Sequence, residues 1–416
     1  MRQPYRRNQP ACSCSSALDV AATFLAGPTR GARSAGAARG TRRVATSALA
    51  ISLFVFLAVL PSAATAAASA TQAAAAAPLH AASPAASPAA SPSSSGASSG
   101  YRVHRTFAVG GDGGWDYLAF DSAARRLYVT RSTRVIVIDA ESGKVVGEIP
   151  NLSGVHGVAL APDLGRGFIS NGRSDKITVF DPQSLKVLSE LGSTGQNPDA
   201  ILYDRASHRV FAFNGRSGSA TAFDAASGKV AATIPLGGKP EFAASDGRGK
   251  VFVNIEDKNE LVAIDAAKLT VAQRWPLPGC EEPSGLSIDA AHQRLIVGCG
   301  NETALIVDSA SGRVVAKLPI GKGVDATGFD PGAGLGYASC GDGTLTVMRE
   351  ETPDRWTVAE KAATRPGART MAADEKTHEV YLATAEFGPR PAPTAAEPHP
   401  RPPMIPGSFV ILVVGP

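Results

Sequence analysis

The sequence predicts an all-β chain folded as a seven-bladed β-propeller, and three observations carry the prediction. One acid recurs at the end of a short apolar run, at Asp121, Asp163, Asp204, Asp246, Asp289, Asp330 and Asp374, with spacings of 41–44 residues. A second aspartate closes strands of V-x-V-x-D type at Asp139, Asp181, Asp224, Asp265 and Asp308, with the same period. Alternation such as Val135 and Val137 against Ile136 and Ile138 has the β period of two, and no stretch sustains helical periodicity. Units of about 40–45 residues that each read as four strands are propeller blades.

Taken in order, residues 1–66 come first. Of the chain's 41 Lys and Arg and 37 Asp and Glu, this segment holds eight arginines and one acid, Asp19. The remainder keeps 33 basic and 36 acidic residues, a net −3, which is not the charge footprint of a nucleic-acid or acidic-membrane binder. Arg42 and Arg43 precede a 13-residue apolar run at 48–60. A spanning helix needs about 20 residues, so the run suits the h-region of a secretory signal. Ala64-Thr65-Ala66 offers the small residues of a cleavage site. The mature protein is therefore expected in the periplasm or outside the cell, as a monomer without a transmembrane span; ordinary secretory and twin-arginine export both stay open. Residues 67–100, nearly all Ala, Ser and Pro, have too few large apolar groups to offset ordering entropy and read as a flexible linker.

The propeller is expected over 101–416. Its first repeat reads as strands at 117–120, 126–130, 134–139 and 144–149, with a D-x-x-S-G-K turn from Asp139 to Lys144 that recurs from Asp224 to Lys229. Asp holds its own turn backbone and Gly accepts positive φ, so these residues are architectural. The last repeat stops at its third strand, 409–414, while an orphan strand at 103–109 precedes the first repeat. The orphan is expected to complete blade seven and close the ring, removing unpaired edges.

Tyr128-Val129-Thr130, followed by Val135 to Asp139 and by Gly143-Lys144-Val145-Val146 with Ile149-Pro150, resembles the YVTN repeat. The chain is similar to the YncE-like secreted propellers of bacteria from about residue 102 to its end. That resemblance implies the fold and export, and no particular activity. Arg131 stands where that repeat usually has Asn, and the sixth repeat is weakened.

In such a ring, the residues entering the seven inner strands are Asp116, His156, Asp199, Glu241, Ser284, Asp325 and Arg369, and they should circle one mouth of the central channel. Their formal sum is −3 with His156 neutral. Crowded carboxylates there either attract a cation or form a structural network, with Arg369 pairing Asp325 and Asp116. The loops between second and third strands share this face. They carry Asn171-Gly172-Arg173, Asn214-Gly215-Arg216 and Asn254, where Asn and Gly suit left-handed turns and Arg173 and Arg216 are free to meet a ligand. In blade seven this loop is a 23-residue insertion, 385–407, with eight prolines. Proline favours extended backbone and keeps the loop from adding a strand; a lid and an exposed arm are equally open. Trp115 either stacks on a ligand or packs between blades.

His208, His292 and His378 fall in turns on the opposite face, which argues against a three-histidine zinc site. H-E-x-x-H, C-x-x-C and the two glycine-rich phosphate motifs are absent from the sequence. Cys280 and Cys299 flank one hairpin and are expected to form a disulfide, leaving Cys340 as a free thiol. The reading is an exported, non-enzymatic binding or scaffold propeller without a cofactor, whose partner is a small molecule, peptide or envelope protein held at the acidic mouth. The alternative is a lactonase-like hydrolase using a divalent cation held by Asp116, Asp199, Glu241 or Asp325.

Overall fold

The computed structural model describes residues 100–394, 398, 400 and 402–416. The signal reading at 1–66 and, save for Gly100, the linker reading at 67–100 lie outside them. Seven four-stranded antiparallel sheets follow one another. Blade 1 comprises Leu118–Asp121, Arg126–Arg131, Arg134–Asp139 and Val145–Ile149, within a residue or so of the sequence reading. The inner strands of blades 2 to 7 are Val155–Ala161, Pro198–Asp204, Pro240–Ser245, Pro283–Asp289, Val324–Asp330 and Thr370–Asp374. Among the described residues, the only helical turns are Pro162–Leu164 and Glu256–Lys258, and no helix is long and apolar enough to cross a membrane.

The ring closes as expected. Arg102–Ala108 pairs antiparallel with the third strand of blade 7, Val410–Gly415, with Phe107 opposite Ile411. Both strands lie one residue from their predicted bounds.

The second and third strands of each blade read as near-continuous apolar runs because both of their faces are buried, whereas most fourth strands are largely exposed. Leu127 and Val129 pack with Tyr381, Ile411 and Val413 of blade 7, whereas Tyr128, Val135 and Val137 pack with Ile169 and Phe180 of blade 2. Adjacent side chains on one strand thus serve the two neighbouring blades.

The turns do more than reverse the chain. Asp139 accepts hydrogen bonds from the Ser142 backbone N–H (2.8 Å) and hydroxyl (2.6 Å), and Gly143 has φ +69°. A β-carbon at Gly143 would fall 2.2 Å from the ring of Phe107 on the closing strand. The glycine is therefore needed twice, for its φ and to seat the neighbouring blade's side chain. Leu191 over Gly228 and Trp275 over Gly312 repeat this fit.

Arg131, the departure from the repeat, is buried. It donates to the carbonyls of Asp112 (2.7 Å) and Gly113 (3.0 Å) and lies 3.8 Å above the Phe409 ring. It braces the glycine-rich link from the closing strand into blade 1. Burial draws its pKa down to about 10.

Candidate functional site

The mouth is assembled by backbone first. The Ser170 hydroxyl of blade 2 donates to the Asp199 carbonyl of blade 3 (2.5 Å), and Ser284 of blade 5 donates to that of Asp325 in blade 6 (3.1 Å). Ser339 of blade 6 donates likewise to Arg369 of blade 7. Each hydroxyl fixes the entry point of the next inner strand. Ser284 is thereby a buried tie and presents no free nucleophile.

The charged ring then pairs within itself. His156 Nδ1 lies 2.7 Å from Asp116 Oδ2 and 3.5 Å from Asp199 Oδ1. Burial works against the imidazolium, but Asp199, Asp116 and Glu241 outweigh it and lift the His156 pKa to about 9. Burial raises the carboxyls too: Asp116 lies above its usual range, Glu241 well above, and Asp199 reaches about 6 despite His156. Lys239 bridges Glu241 and Glu256, and Arg369 Nε lies 3.8 Å from Asp325 Oδ2. Arg369 and Asp325 pair as expected, but the contact partner of Asp116 is His156. The mouth holds five carboxylates (Asp116, Asp199, Glu241, Glu256, Asp325) against three cations (His156, Lys239, Arg369), a formal −2.

Sequence reasoning missed Lys239 and Glu256 as members of this set, and it missed an aromatic pair. Tyr117 of blade 1 and Phe242 of blade 4 meet across the channel with ring centroids 4.3 Å apart. The Tyr117 hydroxyl is buried, has no hydrogen-bond partner, and is raised well above its usual pKa by burial and by Asp199, Glu241, Asp116 and Asp325. At the mouth, the Tyr117–Phe242 aromatic pair thus lies against the acidic residues, with the Tyr117 hydroxyl a buried, unpaired donor. The signal available was the aromatic beside an acid at both Asp116-Tyr117 and Glu241-Phe242.

The surrounding loops correct the expectation that their Asn and Gly serve left-handed turns. Asn171, Asn214 and Asn254 do not adopt positive φ. They are buried side-chain ties: Asn171 donates to Thr178 Oγ1 (2.9 Å), Asn214 to Thr221 Oγ1 (3.0 Å) and Asn254 to the Ser284 carbonyl (2.9 Å). Gly172 is required by close approach, since a β-carbon there would fall 2.5 Å from His156 Nε2. Arg173 and Arg216 are exposed, although the stem of Arg173 rests on Gly154. As expected, the proline-rich insertion adds no strand, but a single bridge pins its base. Phe387 bridges Met404, Gly388 N–H donates to the Pro403 carbonyl (2.8 Å), and Ile405 N–H to that of Glu386 (2.8 Å). Trp115 packs against Phe409 (5.1 Å) and Phe387 (6.1 Å), joining this base to the blade 7 core.

Cys280 and Cys299 form the expected disulfide. Cys340 is free and buried, and burial pushes its thiol up to about 12, unsuited to nucleophilic work.

No family model matches the chain, and no curated protein matches it. Solved structures do. A chain from "Kuenenia stuttgartiensis Hydrazine Synthase" aligns with a TM-score of 0.57 at 15% identity, over 65% of this chain and 92% of that one. A chain from "Crystal Structure of Mitotic Checkpoint Complex" aligns at 0.61 with 14% identity, over 80% and 96%. At such identities the likeness concerns the fold alone.

Proposed function

We propose that the protein is an exported, YncE-like, non-enzymatic binding propeller that takes a cationic group of a small molecule, peptide or envelope partner at its acidic mouth. The carrying observation is the surplus of carboxylates around the unpartnered Tyr117 hydroxyl. An ammonium or guanidinium offers several donors to those carboxylates, and the aromatic pair suits its apolar stem. Arg173 and Arg216 stand at the rim to meet an anionic group on the same partner. The Cys280–Cys299 bridge supports an oxidising compartment and hence export.

The test is calorimetry and thermal shift against lysine- and arginine-containing peptides and polyamines, with neutral analogues as controls. A cationic ligand should bind, weaken with added salt, and lose at least about tenfold in affinity, roughly 1.4 kcal/mol, in Asp199→Asn and Asp116→Asn. Binding untouched by both variants would remove the mouth from consideration.

One observation favours the hydrolytic alternative. Asp116, His156 and Asp199 bring one ligand atom each within 4.8 Å of one another, the spacing of a cation site. A divalent ion there would have to displace the His156 proton, so its affinity should rise towards pH 9. Stoichiometric metal in purified protein, lost in Asp199→Asn together with lactone hydrolysis, would select this reading.

A further inference from the structure

We propose that the face opposite the mouth carries a divalent transition-metal site whose protein ligands are Asp289, His292 and Glu350. It begins with a break in the repeat. Five repeats end their third strand on the turn-forming aspartate. In blade 6 Arg349 stands in that register, opposite Leu335 as Asp308 stands opposite Arg294 in blade 5. Without the carboxylate that closes the turn, the ladder runs on. Thr344–Thr352 and Arg355–Ala363 are nine residues each, where the other third strands have five or six. The overhanging tip is clamped to blade 5 by Arg294, which donates to the Pro353 carbonyl (2.9 Å) and to Asp354 Oδ1 (2.6 Å).

This overhang delivers Glu350 to the turn after Asp289. His292 Nδ1 lies 2.7 Å from Asp289 Oδ2 and 2.9 Å from Glu350 Oε1. Asp289 is anchored independently, its Oδ1 accepting the backbone N–H groups of Ala291 and His292. One Nδ1 hydrogen cannot serve both carboxylates. The Glu350 side chain is 7% exposed, and its buried Oε1, although 2.9 Å from His292 Nδ1, accepts no well-aligned hydrogen bond. Among the described residues no Lys or Arg pairs with Glu350. A buried carboxylate oxygen that must share one imidazole hydrogen with a second carboxylate is poorly satisfied, and a cation would relieve it.

The donor set suits the assignment. The three ligand atoms lie within 4.8 Å of one another. The two Nδ1–O separations need to open only slightly to reach the ~3.3 Å edge of a tetrahedron with ~2 Å bonds to zinc. One imidazole and two carboxylates fit Zn²⁺ and its first-row neighbours better than Ca²⁺ or Mg²⁺. A cleft of about 470 Å³, walled by Phe329 and Pro331, opens onto the half-exposed His292 and leaves a fourth coordination position for water or an external ligand.

The experiment is equilibrium dialysis of the EDTA-treated full chain against Zn²⁺ alone, in an Asp199→Asn/His156→Asn background that disables the mouth cluster. One equivalent should still bind. Adding Glu350→Gln or His292→Asn should lower the affinity at least tenfold with melting temperature in EDTA unchanged to within a few degrees. No zinc uptake in the mouth-disabled background would overturn the site. So would uptake that neither ligand substitution weakens.

Discussion

His156 holds a proton at neutral pH because Asp199 and Asp116 flank it, and that proton couples folding to pH. The folded state keeps it up to about pH 9, whereas the unfolded imidazole releases it near 6.5. Asp199 in turn stays protonated to about 6 in the fold against 3.8 in the unfolded chain. In both windows the folded state binds more protons, so these two groups lose stabilising effect as pH rises from about 4 to about 9. His156→Asn should remove the upper part of that loss, on the order of 2 kcal/mol, in denaturant titrations run across pH. Asp199→Asn should flatten the lower part and draw the His156 pKa downward by NMR. An imidazole titrating near 6.5 in the wild type would overturn the triad. The seven ring positions were legible because the acid series fixes their register. Lys239 was not, because a lysine two residues before Glu241 reads equally as solvated surface until the blade 4 loop brings Glu256 beside it.

At the scale of elements, the turns and the long insertion behave differently from what composition alone implies. The D-x-x-S-G-K motif announces a turn, but only the assembled ring shows that Gly143 also makes room for Phe107. Gly143→Ala should therefore cost more than the ~1 kcal/mol of left-handed strain, because the Phe107 ring must also move. The insertion reads as uniform proline-rich loop, yet its base is pinned by a bridge between Phe387 and Met404. Replacing 389–402 by a short Gly-Ser turn should leave the melting temperature nearly unchanged. Extending the replacement to 388–406 removes Met404 from the blade 7 core and Phe387's bridge partner, and should cost about 1–3 kcal/mol in denaturant unfolding. Equal stability of the two replacements would show that the base contributes nothing. Proline count could not reveal this, since Phe387 meets the Trp115 ring of blade 1 only when the propeller closes.

At the scale of the whole molecule, closure of the ring rests on one non-local event, the pairing of the first strand with the last. The two Asp series made seven blades legible, and the orphan strand at one end and missing strand at the other made the closure legible. Their energetics were not, because they depend on contacts across the seam. Phe107 is buried against Gly143 of blade 1, and the Tyr101 hydroxyl lies 2.6 Å from that of Tyr337 in blade 6, while Tyr101 N–H donates to Glu360 (2.6 Å). The closing strand thus ties blades 6, 7 and 1. Deleting 67–99 should change stability by no more than about 0.5 kcal/mol, since that composition buries little apolar surface. Deleting 67–110 should cost at least about 3 kcal/mol from Phe107 alone and bare the apolar edge of Val410–Gly415, which should then drive aggregation. A synthetic peptide of residues 101–110 should restore part of the loss by adding back the strand in trans. Comparable melting temperatures for the two deletions, or no rescue by the peptide, would mean that blade 7 stands on three strands and that the ring does not depend on its seam.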